Sequence, residues 1–342
     1  MLPLLVWSSA EESYIQKSKE KRMHEIGFSQ IKGIDVGHAQ DMDAATGCTV
    51  ILCTPGAVAG VDVRGGAPGT RETDLLRPGN LVQMIHALVL AGGSAFGLDA
   101  AGGVMRFLEE KGIGFDVQVT KVPIVCGAVL FDLVVGNPMV RPESQMGYQA
   151  CVDAENGEDM VQGCVGAGTG AAVGKILGMH RAMKSGVGAF ALQKDDLQVG
   201  ALVAVNCLGD VIDPFTCSRL AGPLDESGQS LRDTEEILID MHPGAKDIFR
   251  GNTSIGAVVT NAVLSKAQAE KLASMSHDGY ARTMRPAHTM VDGDTIFALS
   301  TGEVKADLNI VGLLGARVME RAVVEAVRNA RSMYGLLAAF DL

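Results

Sequence analysis

Apolar positions fall into runs whose spacing changes along the chain. Residues 47–61 (GCTVILCTPGAVAGV) cluster β-branched side chains on both sides of Thr54-Pro55-Gly56, which predicts a strand, a turn and a second strand. From Leu81 the spacing turns helical. LVQMIHALVLAGG predicts one helix and SAFGLDAAGGVMRFLEEKG a second, with Ser94 as cap and Gly112 as terminator. Residues 122–135 and 199–212 are continuous apolar runs, as expected of strands covered on both faces. Residues 163–178 are dense in glycine, and residues 219–250 lose periodicity after Leu238 and read as an exposed loop. Residues 255–260 predict a strand, Ser265 caps a helix to about His277, residues 295–300 predict another strand, and a last helix covers about 310–332. The order suits helices packed on antiparallel or mixed sheets, without βαβ alternation or an internal repeat.

Composition sharpens this picture. Glycine supplies 42 of 342 residues against roughly 7% in average usage, and aromatics only 4%, so layers built from small aliphatic side chains are expected. Lys plus Arg is 29 and Asp plus Glu 40, a net charge of −11, which excludes a broad phosphate-binding surface and makes nucleic acid an unexpected partner. The seven cysteines (Cys48, Cys53, Cys126, Cys151, Cys164, Cys207, Cys217) are odd in number and form no CxxC, which fits buried thiols in a reducing cytoplasm. The opening MLPLLVW lacks a basic flank and runs straight into EESYIQKSKEKR, so residues 1–25 read as a poorly ordered extension ahead of a single domain, 26–342. No uncharged apolar run reaches the roughly 18 residues of a membrane span.

Local motifs for chemistry are sparse. A phosphate loop fails, because the glycine required ahead of Gly174-Lys175 is Thr169 and Lys175 is followed by Ile176. Gly166, Gly168 and Gly170 give GxGxG, but the third dinucleotide-binding glycine falls on Ala171; close packing of backbone accounts for most of these glycines. His288, Asp292 and Asp294 in HTMVDGD could hold a divalent ion, or form an Asp-Gly turn with solvated carboxylates. His38, His86 and His180 have no evident partners, GxSxG is absent, and Ser94 lacks the context of a nucleophile elbow. Gly251-Asn252-Thr253-Ser254 lies where a loop enters a buried strand, an ordinary signal by itself.

Longer blocks carry more. GNTSIGAVVTNAVLSKAQAEKLA, RPAHTMVDGDTIFALSTGE, TGCTVIL, VAGVDVRGGAPGTRETDLL, LAGGSAFGLDAAGGVMRFLEEKGIGF, VPIVCGAVLFDL and GAGTGAAVGK, from about Gly33 to Leu337, resemble the L-aminopeptidase/D-esterase family, which includes the β-peptidyl aminopeptidases and the nylon-oligomer hydrolase. The resemblance implies an α/β αββα four-layer sandwich like the N-terminal-nucleophile hydrolases, with no cofactor and no metal. It implies a precursor that cuts itself between Asn252 and Thr253 into chains 1–252 and 253–342, and a homo-oligomer, tetrameric or larger, acting on short peptides, amides or esters. Thr253 then becomes both nucleophile and chain terminus, and its own α-amino group, with an ordinary pKa of about 7.7–8.0, can serve as base.

By the same resemblance Asn206 stabilises the oxyanion, Lys175 keeps the Thr253 amine neutral, and Asp292 and Asp294 position the nucleophile and the amine. Read without it, Asn206 is a buried strand residue and Lys175 a surface lysine at a helix start. A tyrosine of relatives falls on Phe131, which has no hydroxyl, and the adjoining Asp132 could contact a substrate amine. The alternatives are a metal- or nucleotide-dependent enzyme using the Asp292/Asp294 loop and the glycine-rich segments, or a silent binding homologue.

Overall fold

The computed structural model describes residues 23–157, 160–241 and 251–342; residues 1–22 of the expected extension and the end of the expected 219–250 loop lie outside them. The main strands are β1 (His24–Ile26), β2 (Asp35–Asp41), β3 (Thr46–Val63), β4 (Thr70–Arg71), β5 (Ile85–Ala91), β6 (Val125–Val129), β7 (Val187–Lys194), β8 (Leu197–Ala204), β9 (Ile255–Ala262) and β10 (Thr295–Val304). The long helices are α1 (Ala100–Glu110), α2 (Ser144–Glu155), α3 (Lys266–Thr283) and α4 (Leu308–Arg328). The strands form one hydrogen-bonded path, β1-β7-β8-β9-β10-β3-β5-β6-β4, with β2 also on β3. The pairs β9–β10 and β5–β6 are parallel and the others antiparallel.

The expected strand-turn-strand at 47–61 is instead one bent strand. Pro55 and Gly56 fall where the β3–β5 register breaks, between Leu52 and Ala57, so the proline costs no ladder hydrogen bond there. Residues on the N-terminal side of the break pair with β2 and β5, while Val58–Val63 pairs with β10. Thus β3 carries the path from one leaf of sheet to the other.

Strand alternation builds four layers on that bend. Leu202, Ala204, Ile255, Ala257, Val259, Phe297 and Leu299 of one leaf share an interior with Ile51, Cys53, Ile85, Leu88, Leu90, Cys126 and Ala128 of the other. Their strand neighbours face outward: Val199, Ala201, Val203, Val258, Ile296 and Ala298 onto α3 and α4, and Cys48, Val50, Leu52, Ala87, Val89 and Val125 onto α1 and α2. The result is the expected αββα sandwich. Gly60 and Gly188 let helices approach closely, since an added Cβ would stand 2.1 Å from Glu270 N of α3 and 2.1 Å from Ala322 O of α4 respectively.

Other expectations need correction. The helix expected from Leu81 is strand β5, because a strand covered on both faces shows the same unbroken apolar run as a buried helix. Ser94 does not cap α1: it has φ 54° in a preceding 3-10 turn, although Gly112 does follow the helix end with φ 67°. The 199–212 run is β8, a departing segment and a short strand Asp210–Ile212, and the 122–135 run is paired only at Lys121–Val122 and over β6. A short helix, Thr234–Asp240, interrupts the expected loop. Ser265 caps α3 as expected, in a reciprocal box with Gln268, and α4 starts on an Asp307 cap.

Candidate active site

Sheet register gathers residues far apart in sequence. Antiparallel pairing of Ala204 with Ile255 brings the chain after β8 beside the chain before β9, and the Thr253 N–H donates to the Asn206 carbonyl at 3.0 Å. Parallel pairing of Ile255 with Thr295 aligns Asn252–Ser254 with Asp292–Asp294. There the Gly293 N–H donates to the Asn252 carbonyl at 3.0 Å and the Thr295 N–H to the Ser254 carbonyl at 3.1 Å. A 3-10 turn, Lys175–Leu177, docks on the segment after β8, with the Lys175 N–H on the Leu208 carbonyl at 2.9 Å. Asn206, Lys175, Asn252, Thr253, Asp292 and Asp294 therefore converge on one strand entrance, all buried.

The loop before β10 is clamped by the chain after β3. N–H groups of Arg64 and Gly65 reach the Asp294 carbonyl at 3.0 and 3.2 Å, and that of Ala67 reaches the Asp292 carbonyl at 2.7 Å. Both carboxylates are turned inward: Asp294 Oδ1 accepts the Ser254 N–H at 2.9 Å, and Asp292 Oδ2 accepts the N–H and the hydroxyl of Thr289. They are not the solvated turn carboxylates that spacing alone allows. Burial first, then the Asp294 charge, lifts Asp292 to about 6.

Lys175 is likewise no surface lysine. Its ammonium donates to the carbonyls of Asn206 and Gly251, each at 2.8 Å, and burial brings it down to about 7 against partial support from Asp292, Asp132 and Asp294. The Asn206 side chain accepts the Ala172 N–H at 3.1 Å and donates to the carbonyls of Phe131, at 3.0 Å, and Gly251, at 3.4 Å. So in the uncut chain its amide points at Gly251, one residue before the expected oxyanion.

The Thr253 hydroxyl donates to the Asn252 carbonyl oxygen, within the peptide unit expected to break. Ser254 cannot share this role: its hydroxyl lies toward Met284 Sδ, at 3.3 Å, and the Asn206 N–H, at 3.4 Å. Phe131 is half-buried and meets Asn206 through its backbone carbonyl. Asp132 is not a solvated strand-end acid. Its carboxylate is buried, accepting the Thr46 hydroxyl and the Gly93 N–H at 2.7 Å each. Burial raises its pKa, with the Gly93 and Thr46 hydrogen bonds and, less, the nearby Lys184 ammonium acting against the rise. Lys184 is itself fully buried on the carbonyls of Gly168 and Ala171, at 3.0 Å each. It fastens the glycine-rich segment beside the site.

Sequence reasoning missed the clamp at 64–67, the Thr289 donors and the role of His288, which meets Asp294 Oδ2. The glycines of VRGGAPG were the one available signal for the clamp, since an added Cβ at Gly65 would stand 2.4 Å from Asp294 N. Among the described residues no group of three or more His, Cys, Asp or Glu is arranged to hold a metal, and no helix is long and apolar enough to cross a membrane.

Comparison with known proteins places the chain among hydrolases of related sequence and fold. Among curated sequences, an uncharacterized aminopeptidase of Mycobacterium tuberculosis is 43% identical, spanning 92% of this chain and 97% of that protein. A 6-aminohexanoate-oligomer endohydrolase of Kocuria sp. is 31% identical over 86% of this chain and 84% of its own. Among solved structures, the L-aminopeptidase D-Ala-esterase/amidase of Ochrobactrum anthropi, described as a prototype for serine aminopeptidases with a variant of the Ntn hydrolase fold, superposes with a TM-score of 0.67 at 18% identity, covering 92% of this chain and 90% of that one. A β-aminopeptidase of Burkholderia sp. gives 0.65 at 18% identity, with the same coverage. Residues 28–339 match peptidase family S58, and the chain belongs to that family of peptide-bond hydrolases.

Proposed function

We propose that this protein is an N-terminal-nucleophile aminopeptidase or amidase that activates itself by cutting between Asn252 and Thr253. The observation that carries the reading is the Thr253 hydroxyl on the Asn252 carbonyl, at a junction where Gly293 already donates to that same carbonyl oxygen. The Thr253 oxygen attacks the Asn252 carbonyl carbon, the C–N bond breaks, and the nitrogen takes a proton to become the free amine of Thr253. Water then hydrolyses the ester, leaving the Asn252 carboxylate and restoring the hydroxyl. The Gly293 N–H stabilises the oxyanion of this step, and Lys175, near 7, is a group beside the junction able to exchange a proton at neutral pH.

The same cut arms the site. Asn206 and Lys175 both hold the Gly251 carbonyl, so withdrawal of the new chain end exposes two donors for a substrate carbonyl. The freed Thr253 amine then serves as base for its own hydroxyl, and an acyl-enzyme forms and is hydrolysed in turn. That all seven cysteines are free thiols supports a reducing, cytoplasmic setting.

Intact mass spectrometry tests the proposal. Two chains ending at Asn252 and starting at Thr253 are expected from the wild type, a single chain from Thr253→Ala, and release of amine from amino-acid anilides only by the cut protein. An unbroken wild-type chain that hydrolyses these substrates would refute it.

A further inference from the structure

Asp294 is gripped from both ends. Oδ1 accepts the Ser254 N–H, while Oδ2 accepts the backbone N–H of His288 at 2.9 Å and lies 3.0 Å from His288 Nδ1. One residue thus applies its backbone and its ring to a single oxygen, which requires an unusual backbone: His288 has φ 61°, in the left-handed region that His, Asn and Asp tolerate better than other side chains. Facing a carboxylate oxygen that accepts, Nδ1 is the donor of this contact. The rest of the ring is held by packing. Nε2 is buried without a partner, and the ring packs edge-on against His277, with centroids 4.8 Å apart.

We propose that His288 is a positioning residue. Its ring N–H fixes the Asp294 carboxylate in the orientation that lets Oδ1 hold the Ser254 N–H, and so sets the peptide following Thr253. The inference rests on the reading of Thr253 as nucleophile. His288 touches neither Thr253 nor the scissile carbonyl in any hydrogen bond, so it acts through Asp294. Losing this donor lets the carboxylate swing and spreads the direction of the Thr253 hydroxyl, which lowers the rate of attack more than the binding of substrate.

Three variants test it. His288→Gly keeps the left-handed backbone and the N–H but removes the ring. His288→Asn also suits that backbone, and its Nδ2 stands where Nδ1 stood. His288→Asp matches Asn in shape but offers only acceptors. Self-cutting is followed by intact mass after synthesis in a cell-free system, and kcat and KM are read on cut protein. The expected result is cutting within about threefold of wild type for Asn, and roughly 10- to 100-fold slower for Gly and Asp, as for loss of a hydrogen bond to a charged group. In cut protein kcat is expected to fall and KM to change less than about twofold. Wild-type rates in Gly and Asp, or an Asn variant as slow as Asp, overturn the inference; should Gly fail to fold by circular dichroism, the Asn–Asp pair alone decides it. A wild type that is active yet uncut refutes the Thr253 reading instead.

Discussion

A lysine amine near 7 is about half neutral at neutral pH, and Lys175 is placed where that matters. If its neutral form takes the proton as Thr253 attacks, the self-cutting rate should rise about fivefold between roughly pH 6 and pH 7 and level off above about pH 8. Asp292, lifted to about 6, ionises over the acid part of the same window. Lys175→Arg, which stays charged throughout, should flatten the rise and slow cutting at least about 100-fold, read as the ratio of cut to uncut mass over time. Thr253→Ser should still cut, because the oxygen keeps its place on the Asn252 carbonyl, and Thr253→Ala should not. These residue types were legible in the sequence, but their partners were not. Asp292 and Asp294, two apart in VDGD, read from spacing as a solvated turn more readily than a metal loop, and as a catalytic pair only through the resemblance; burial and the Thr289, Ser254 and His288 donors rule out the solvated turn.

At the scale of elements, what could be read depended on whether one face stays wet. Ser265 and Gln268 announce α3 because a capping box is a local device, independent of everything the helix packs against. IHALVLA announces nothing, since β5 is covered by sheet on one side and helix on the other. Nor does any local pattern encode the parallel register that sets Asn252 beside Asp292, so the gathering of the site could be expected only from longer blocks of resemblance. The tight seams between strand and helix give a direct test. Gly60→Ala would put a methyl into the backbone of α3 and should destabilise by about 1–3 kcal/mol, seen as a lower urea midpoint with an unchanged slope.

For the molecule as a whole, the layer between the two leaves is one of three large apolar clusters. Phe297, fully buried between the two leaves, should cost about 3–5 kcal/mol when replaced by alanine. The buried titratable groups set the pH dependence. Lys175 and Lys184, brought to about 7 and about 8 from 10.5, are neutral in the fold where the unfolded chain still binds their protons. Stability should therefore climb from about pH 7 to about pH 9. Above that the sign reverses: Cys48, Cys53 and Cys126, pushed up to about 12 by burial, keep protons that the unfolded chain gives up from about 9. Urea midpoints across pH 6–10 should thus peak near pH 9, and Lys175→Met, which cannot titrate, should show a shallower climb.

The placement of β9 and β10 between β8 and β3 has a last consequence. Both strands lie C-terminal to Thr253, and both their outer neighbours lie N-terminal to it. A chain opened at that threonine would yield two fragments laced through each other's ladders, neither able to peel off without unravelling the other's interior. Gel filtration in native buffer should show them travelling as one particle, parting only in denaturant, so that such a break would give the enzyme a new amino terminus while its architecture kept no seam.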